Sequence, residues 1–341
     1  MKNLLQLSRR TMLLGATAVA LLAGVAAPLA AEEIKPAIVF DMGGKFDKSF
    51  NEGVHDGAMA FQKASGTEVR EFEPQNDTQR EQALRNFARR GQNPIVAVGF
   101  NQTSAVKAVA AEFPQIHFVI IDAVVDAPNV QSVLFREEQG SYLAGMLAAL
   151  RSATGKVGFV GGMDVPLIRK FACGYVQGAR AANPRIEVLQ NMTGSTPTAW
   201  NDPVRGAELT RSQIERGADV VFQAAGATGI GVLQAAADAG KYGIGVDSNQ
   251  NALHPGHVLT SMVKRVDVAT RTAFEAARDG KWTAGTHVLG LEDDGVALAF
   301  DANNEKIVTA EMRQRIDQAR ADIIAGKVTI HDYMTDNSCP N

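Results

Sequence analysis

Asp41 closes a short apolar run, Ala37-Ile38-Val39-Phe40, and is followed by Gly43-Gly44, a charged turn and Phe50. A carboxylate there accepts hydrogen bonds, and two glycines let backbone approach a bound molecule closely. A ring at Phe50 offers a flat apolar face. The same kind of ending recurs along the chain: Gly99-Phe100-Asn101, Asp122 after Val119-Ile120-Ile121, Gly161-Gly162-Met163, Gly226, and Asp247-Ser248. Singly, each has an ordinary explanation, since carboxylates often cap loops or begin helices. Their shared position at the carboxyl ends of apolar runs is the informative feature. Lys264 follows the apolar run 258–261, where it either reaches a hydroxyl or anionic group or stands solvated at a helix start. Trp200, in the polar loop 193–202, packs over a ligand ring, a neighbouring lobe or its own domain.

Other chemistries fit poorly. Gly226-Ala227-Thr228-Gly229-Ile230-Gly231 follows a strand and opens a helix, but its spacing is G-x-x-G-x-G and not the dinucleotide pattern. Neither G-x-x-x-x-G-K-[ST] nor G-x-S-x-G occurs. His254 and His257 lack a third local ligand, and a surface loop accounts for them better than a metal site. Glu137 and Glu138 are adjacent, so on a helix they point apart and form no acid/base pair.

The elements that must hold these residues alternate. Strands are predicted at 37–40, 68–72, 95–99, 117–121 and 130–134, with helices at 50–63, 80–90 and 104–112. After a helix over 139–152 the alternation restarts, with strands at 157–160, 186–189, 220–222 and 242–246. The helices of this second half are 168–182, 204–216 and 230–239. Apolar strands separated by amphipathic helices indicate parallel sheets covered on both faces. Two runs of similar size predict an α/β chain of two doubly wound parallel-sheet lobes, with a (β/α)8 barrel as the runner-up. Crossings between lobes are expected at 130–138 and near 258–263, a last extended stretch at 289–299 and a terminal helix at 310–325. Lobe 1 is then 32–135 plus 260–290, and lobe 2 is 136–259 plus 291–341.

The chain has 341 residues, 45% of them hydrophobic and 21% charged, with a formal net charge of -3. No long basic run is present, which argues against a nucleic-acid partner. Residues 1–31 carry Lys2, Arg9 and Arg10, then an apolar stretch ending in small residues, and read as a cleaved signal peptide. Ser8-Arg9-Arg10-Thr11-Met12-Leu13 also resembles a twin-arginine export signal. No cysteine lies at the cleavage region, so a periplasmic protein that is not a lipoprotein is expected. Cys173 and Cys339 are the two cysteines, and the sequence leaves open whether they pair.

The stretch from Val39 through Asp41, Gly43-Gly44 and Phe50 to Asn51 resembles the opening signature of the basic membrane protein family of substrate-binding proteins. These serve ATP-driven importers and include purine-nucleoside receptors. The likeness continues in Ile120-Ile121-Asp122, in 138–145, and in Ala224-Ala225-Gly226-Ala227-Thr228-Gly229. It ends in Gly245-Val246-Asp247-Ser248 and Thr260-Ser261-Met262-Val263-Lys264. The resemblance implies a type I periplasmic-binding-protein fold with hinge crossings and a nucleoside between the lobes. It implies that Asp41 and Asp122 bind the base and that Phe50 stacks on it. Trp200 or Phe222, with Phe171 behind them, supplies the second ring. Asp247 and Lys264 hold the ribose, and Gly226 contributes a backbone group. It implies no cofactor and no catalysis, a membrane permease as partner, and a monomer. A flavin or free base is the rival ligand, and an NAD-dependent enzyme the rival class.

Overall fold

Parallel strands need crossover connections, and this chain supplies a helix for most of them. The computed structural model describes residues 34–340, so the signal peptide expected over 1–31 lies outside the described residues. The first run is β1 (Ala37–Val39), α1 (Phe50–Ser65), β2 (Arg70–Phe72), α2 (Asp77–Arg89), β3 (Ile95–Ala97), α3 (Thr103–Glu112), β4 (Phe118–Ile121) and β5 (Val130–Phe135). The second begins with α4 (Glu137–Arg151), β6 (Lys156–Met163), α5 (Pro166–Ala182) and β7 (Glu187–Gly194). It continues through α6 (Pro203–Glu215), β8 (Val220–Ala224), α7 (Thr228–Asp238), β9 (Tyr242–Asp247) and β10 (Val258–Lys264). The chain ends with α8 (Val266–Arg278), β11 (Gly285–Leu289), β12 (Val296–Leu298) and α9 (Ala310–Ile324).

The strands form two open six-stranded sheets, in the orders β11-β5-β4-β3-β1-β2 and β12-β10-β9-β8-β6-β7. The first is parallel throughout; in the second, only β12 runs antiparallel, against β10. This is the doubly wound α/β class, and two separate open sheets rule out the closed barrel. In each sheet the chain starts in the middle, lays one strand to one side, and then reverses. The reversal falls between β1 and β3 in one sheet and between β6 and β8 in the other. Ligands of open α/β sheets bind at such points, outside the carboxyl ends.

Two connections differ from the sequence-based expectation. Residues 258–264 are not a crossing but strand β10 of the second sheet, and the chain crosses to α8 only after Lys264. The stretch 289–299 is not one extended segment. It ends β11 on the edge of the first sheet, turns through Glu292-Asp293-Asp294-Gly295, and returns as β12 on the edge of the second. The acidic turn separates two short strands that pair with different sheets.

Helices α4 and α5 pack backbone against backbone. A Cβ on Gly145 would strike the Tyr175 carbonyl oxygen, and one on Gly178 would strike the Tyr142 carbonyl oxygen. That close seating fixes Lys170 and Phe171 of α5 relative to the start of α4. The chain's end is tied to the same helix. Cys173 and Cys339 are disulfide-bonded, with Cα atoms 5.5 Å apart. Gln177 also donates to the His331 carbonyl at 3.0 Å and accepts from the His331 amide at 2.9 Å. A crosslink spanning 166 residues removes much loop entropy from the unfolded chain. Cys339→Ser is therefore expected to lower unfolding stability by about 2–4 kcal/mol, read by urea titration of the oxidised protein. An unchanged midpoint would show that the tail contributes nothing.

Candidate functional site

Strand tips from both sheets converge on one cavity of about 590 Å³, its open mouth included. Asp41 and Met42 after β1, Gly99 and Phe100 after β3, and Asp122 after β4 come from the first sheet. Phe50 and Asn51 open α1 on the same side. From the other sheet come Ala224, Ala225 and Gly226 after β8, Asp247 ending β9 and Lys264 ending β10. Leu167, Ile168 and Phe171 of α5 and Trp200 complete the wall. Of the sequence-predicted residues, Asp41, Phe50, Asp122, Trp200, Gly226, Asp247 and Lys264 are thus brought together.

Phe222 is not. It is fully buried two residues before the tip of β8, its ring 5.5 Å from Phe159 and 5.3 Å from Tyr175. Strand β8 is buried on both faces, so its sequence has no polar alternation to separate a core ring from a cavity ring. Phe171 and Trp200 are the cavity rings supplied after β6 and β7, and Phe50 and Phe100 those supplied after β1 and β3. The indole Nε1 of Trp200 is buried without a protein partner. Its ring lies against Gly162, where a Cβ would overlap it.

The carboxylates are held in different ways. Asp122 and Asp247 both take positive φ, +69° and +61°, a turn that aspartate tolerates at a strand end. Asp122 receives Lys264 Nζ on Oδ2 at 2.6 Å, while its buried Oδ1 has no protein partner. Asp247 accepts from Ser49 Oγ at 2.5 Å, across from the other sheet. Asp41 accepts from Arg80 Nη2 at 2.9 Å and from the Met42 amide at 2.8 Å. Asp47 accepts from the amides of Ser49, Asn51 and Glu52 at 2.9–3.1 Å and so caps α1, which starts the helix that carries Phe50.

Lys264 is the junction. Its ammonium touches Asp122 at 2.6 Å and Glu137 at 2.8 Å, and lies 5.0–5.6 Å from the ring centres of Phe50, Phe135 and Phe171. Burial opposes the charged amine, but Asp122, Glu137 and Asp247 outweigh it and hold its pKa above the ordinary value. Burial likewise pushes Glu137 up, yet Lys170 and Lys264 together hold it below the ordinary value. Asp122 goes the other way: burial and the neighbouring Glu137 and Asp247 charges outweigh Lys264 and raise it.

Glu137 and Glu138, adjacent at the start of α4, form no acid/base pair with each other. Both instead turn to Lys170, at 2.9 and 3.2 Å, because a lysine from α5 stands over the first turn of α4. Sequence reasoning also missed Arg80 and Asp47. Both lie on polar helix starts that look solvated, and nothing local says that the fold will bury them. Only the crowding of charge at 41–52 hinted at Asp47.

Residues 34–333 match the model of the family described as ABC transporter substrate-binding protein PnrA-like. The chain is 32% identical over 321 residues to a Lactococcus lactis protein named ABC transporter nucleoside-binding protein BmpA, covering 87% of this chain and 89% of that one. It is 32% identical over 282 residues to an uncharacterized lipoprotein of Pyrococcus abyssi, covering 78% and 69%. Among solved structures, an ABC transporter solute-binding protein from Aeropyrum pernix superposes with a TM-score of 0.81 at 27% identity, over 89% of this chain and 95% of that one.

The Pyrococcus likeness overturns one expectation. A periplasmic protein that is not a lipoprotein was inferred from a short stretch near residue 31 that lacks cysteine. Relatives that match most of the fold are named lipoproteins, so the fold gives no ground for excluding an anchor.

Glu137 lies between two ammonium groups, and replacing it leaves both short of a counter-charge. Glu137→Gln is expected to cost about 3–5 kcal/mol at pH 7. A carboxylate whose folded pKa is depressed contributes stability that is present above its unfolded value, 4.5, and is lost as pH falls below it. The variant's stability should therefore fall less steeply than the native protein's below pH 4.5, as followed by chemical denaturation at stepped pH. Parallel curves would contradict this assignment.

Proposed function

The chain belongs to the family of PnrA-like ABC transporter substrate-binding proteins, and from that premise we propose that it binds a nucleoside, with purine nucleosides preferred, and delivers it to a membrane permease. The family binds substrates for transport and is not one of enzymes, which removes the nicotinamide-dependent alternative. The observation that carries the ligand reading is one cavity holding aromatic faces and carboxylate oxygens on opposing sheets. Stacking on a base contributes roughly 1–3 kcal/mol, and a carboxylate accepts from a ribose diol or from base N–H groups.

The roles we assign are those the family resemblance implies, and the shared cavity supports them. Phe50 and Phe100 on one side, with Phe171 and Trp200 on the other, bracket the base. Asp41 and the unpartnered oxygen of Asp122 accept from the ligand. Asp247 and Lys264 meet the sugar, and Gly226 presents backbone. Asp41, Asp47, Asp122 and Asp247 face a single lining ammonium, Lys264, and this charge balance favours an uncharged ligand over a phosphorylated one. We place the lobe boundaries at the sheet crossings, giving 34–135 with 265–289 and 136–264 with 290–340. Closure of one lobe on the other would be what a permease reads.

Calorimetric titration with inosine, guanosine and adenosine tests this reading. Saturable binding is expected, with thermal stabilisation of about 2.7 kcal/mol at a hundredfold excess over Kd. Asp247→Ala and Phe50→Ala should each weaken binding by at least about tenfold, roughly 1.4 kcal/mol. Binding of a flavin or free base, with no nucleoside response, would refute it.

A further inference from the structure

Arg80 stands one layer behind the cavity wall. On α2, it is 3% exposed. Its Nη1 donates to Asp77 Oδ1 at 2.5 Å and its Nη2 to Asp41 Oδ1 at 2.9 Å, while its buried Nε has no protein partner. A guanidinium does not give up its proton inside a protein. Buried charges are paired, and two carboxylates share this guanidinium: Asp77, 82% exposed, and Asp41, which is buried. Asp41 is the one of the two that lines the cavity, so Arg80 supplies its nearest opposing charge there.

The pairing also decides which oxygen remains for a ligand. Oδ1 of Asp41 is taken by Arg80 and by the Met42 amide at 2.8 Å. Oδ2 has a single long contact, from Asn101 Nδ2 at 3.4 Å. It lies against Gly99, where a Cβ would come within 2.6 Å of it. The bare glycine keeps space beside that oxygen.

We propose that Arg80 is a positioning residue that locks Asp41 as a pure hydrogen-bond acceptor, so that the bound nucleoside must present an N–H or O–H to Oδ2. This deepens the nucleoside reading and rests on it. Without the guanidinium, Asp41 would be a buried carboxyl with little to hold it ionised. Burial holds its pKa above the ordinary carboxylate value even in the native protein, and Arg80 is the strongest influence opposing that rise. Once protonated, it would turn an O–H toward the ligand's own donor.

The charged groups that face Asp41 are Arg80 and Asp77 from α2 and Asp47 from the turn before α1. Asp122, Asp247 and Lys264 share its cavity from β4, β9 and β10. Of these only Asp77 loses a direct partner along with Asp41 in the variant, and it is 82% exposed and outside the cavity, so the difference in ligand affinity between native and variant reads Asp41.

The test is calorimetric affinity for inosine at pH 6 and pH 8.5 in the native protein, Arg80→Gln and Arg80→Lys. Relative to native, Arg80→Gln should lose at least about tenfold more affinity at pH 6 than at pH 8.5, the factor that one pKa unit makes. Arg80→Lys, which keeps the charge, should follow the native profile. Parallel profiles for native and Arg80→Gln would overturn the proposal. An infrared difference spectrum of native protein against Asp41→Asn at pH 6 needs no Arg80 variant. It should lose carboxylate bands, and loss of a protonated-carboxyl band would overturn the proposal even if Arg80→Gln fails to fold. Absence of any nucleoside binding to native protein would instead refute the nucleoside reading, with the infrared result still deciding the state of Asp41.

Discussion

A lysine ammonium buried between two sheets is the constraint on which the site depends. Lys264 leaves the second sheet, meets Asp122 of the first at 2.6 Å, and meets Glu137 at the start of the helix that joins them at 2.8 Å. Removing those charges from water costs several kcal/mol per ion, and their attraction repays it only in one geometry. The network therefore adds little net stability. What it does is penalise any arrangement of the two sheets in which the partners separate. Lys170 extends the same logic to α5, since it shares Glu137 with Lys264 and reaches Glu138 as well.

Around that junction the fold repeats one topological device. Each sheet begins in its middle and reverses, and each reversal opens a crevice at carboxyl ends. In the compact unit 32–341 the two crevices share a single cavity. Further hydrogen bonds bridge the sheets at its edge. Ser49 Oγ reaches Asp247, Ser248 Oγ reaches the Ser49 carbonyl at 3.0 Å, and Gln250 Nε2 reaches the Lys48 carbonyl at 2.9 Å. The turn 41–50 is thus fixed by the opposite sheet as well as by its own strand.

The cavity combines rings that suit a flat apolar face with oxygens left short of donors, and its cation is already matched by protein carboxylates. Arg80 adds a second supporting cation out of ligand reach. The two cations do different things: Lys264 joins the sheets, and Arg80 sets the state of one carboxylate. Both are held by buried partners, which is why their burial matters more than their position in the chain.

The alternation of apolar runs and amphipathic helices was enough to give the α/β class, because period and composition are local properties. It also located the strand tips, and with them Asp41, Asp122, Gly226, Asp247 and Lys264, since a parallel strand's carboxyl end can be read from where its apolar run stops. Three-dimensional packing decided the rest. Phe222 and Phe171 look equally apolar in sequence, and only the way β8 and α5 pack separates a core ring from a cavity ring. Cys173 and Cys339 are brought together by the fold of the tail over α5, 166 residues apart in sequence. Arg80, Glu137 and Lys170 carry no local sign of burial, because what buries them comes from other elements far along the chain. Sequence fixes what a segment is made of, but a charge or ring acquires its function from long-range neighbours that local pattern does not encode.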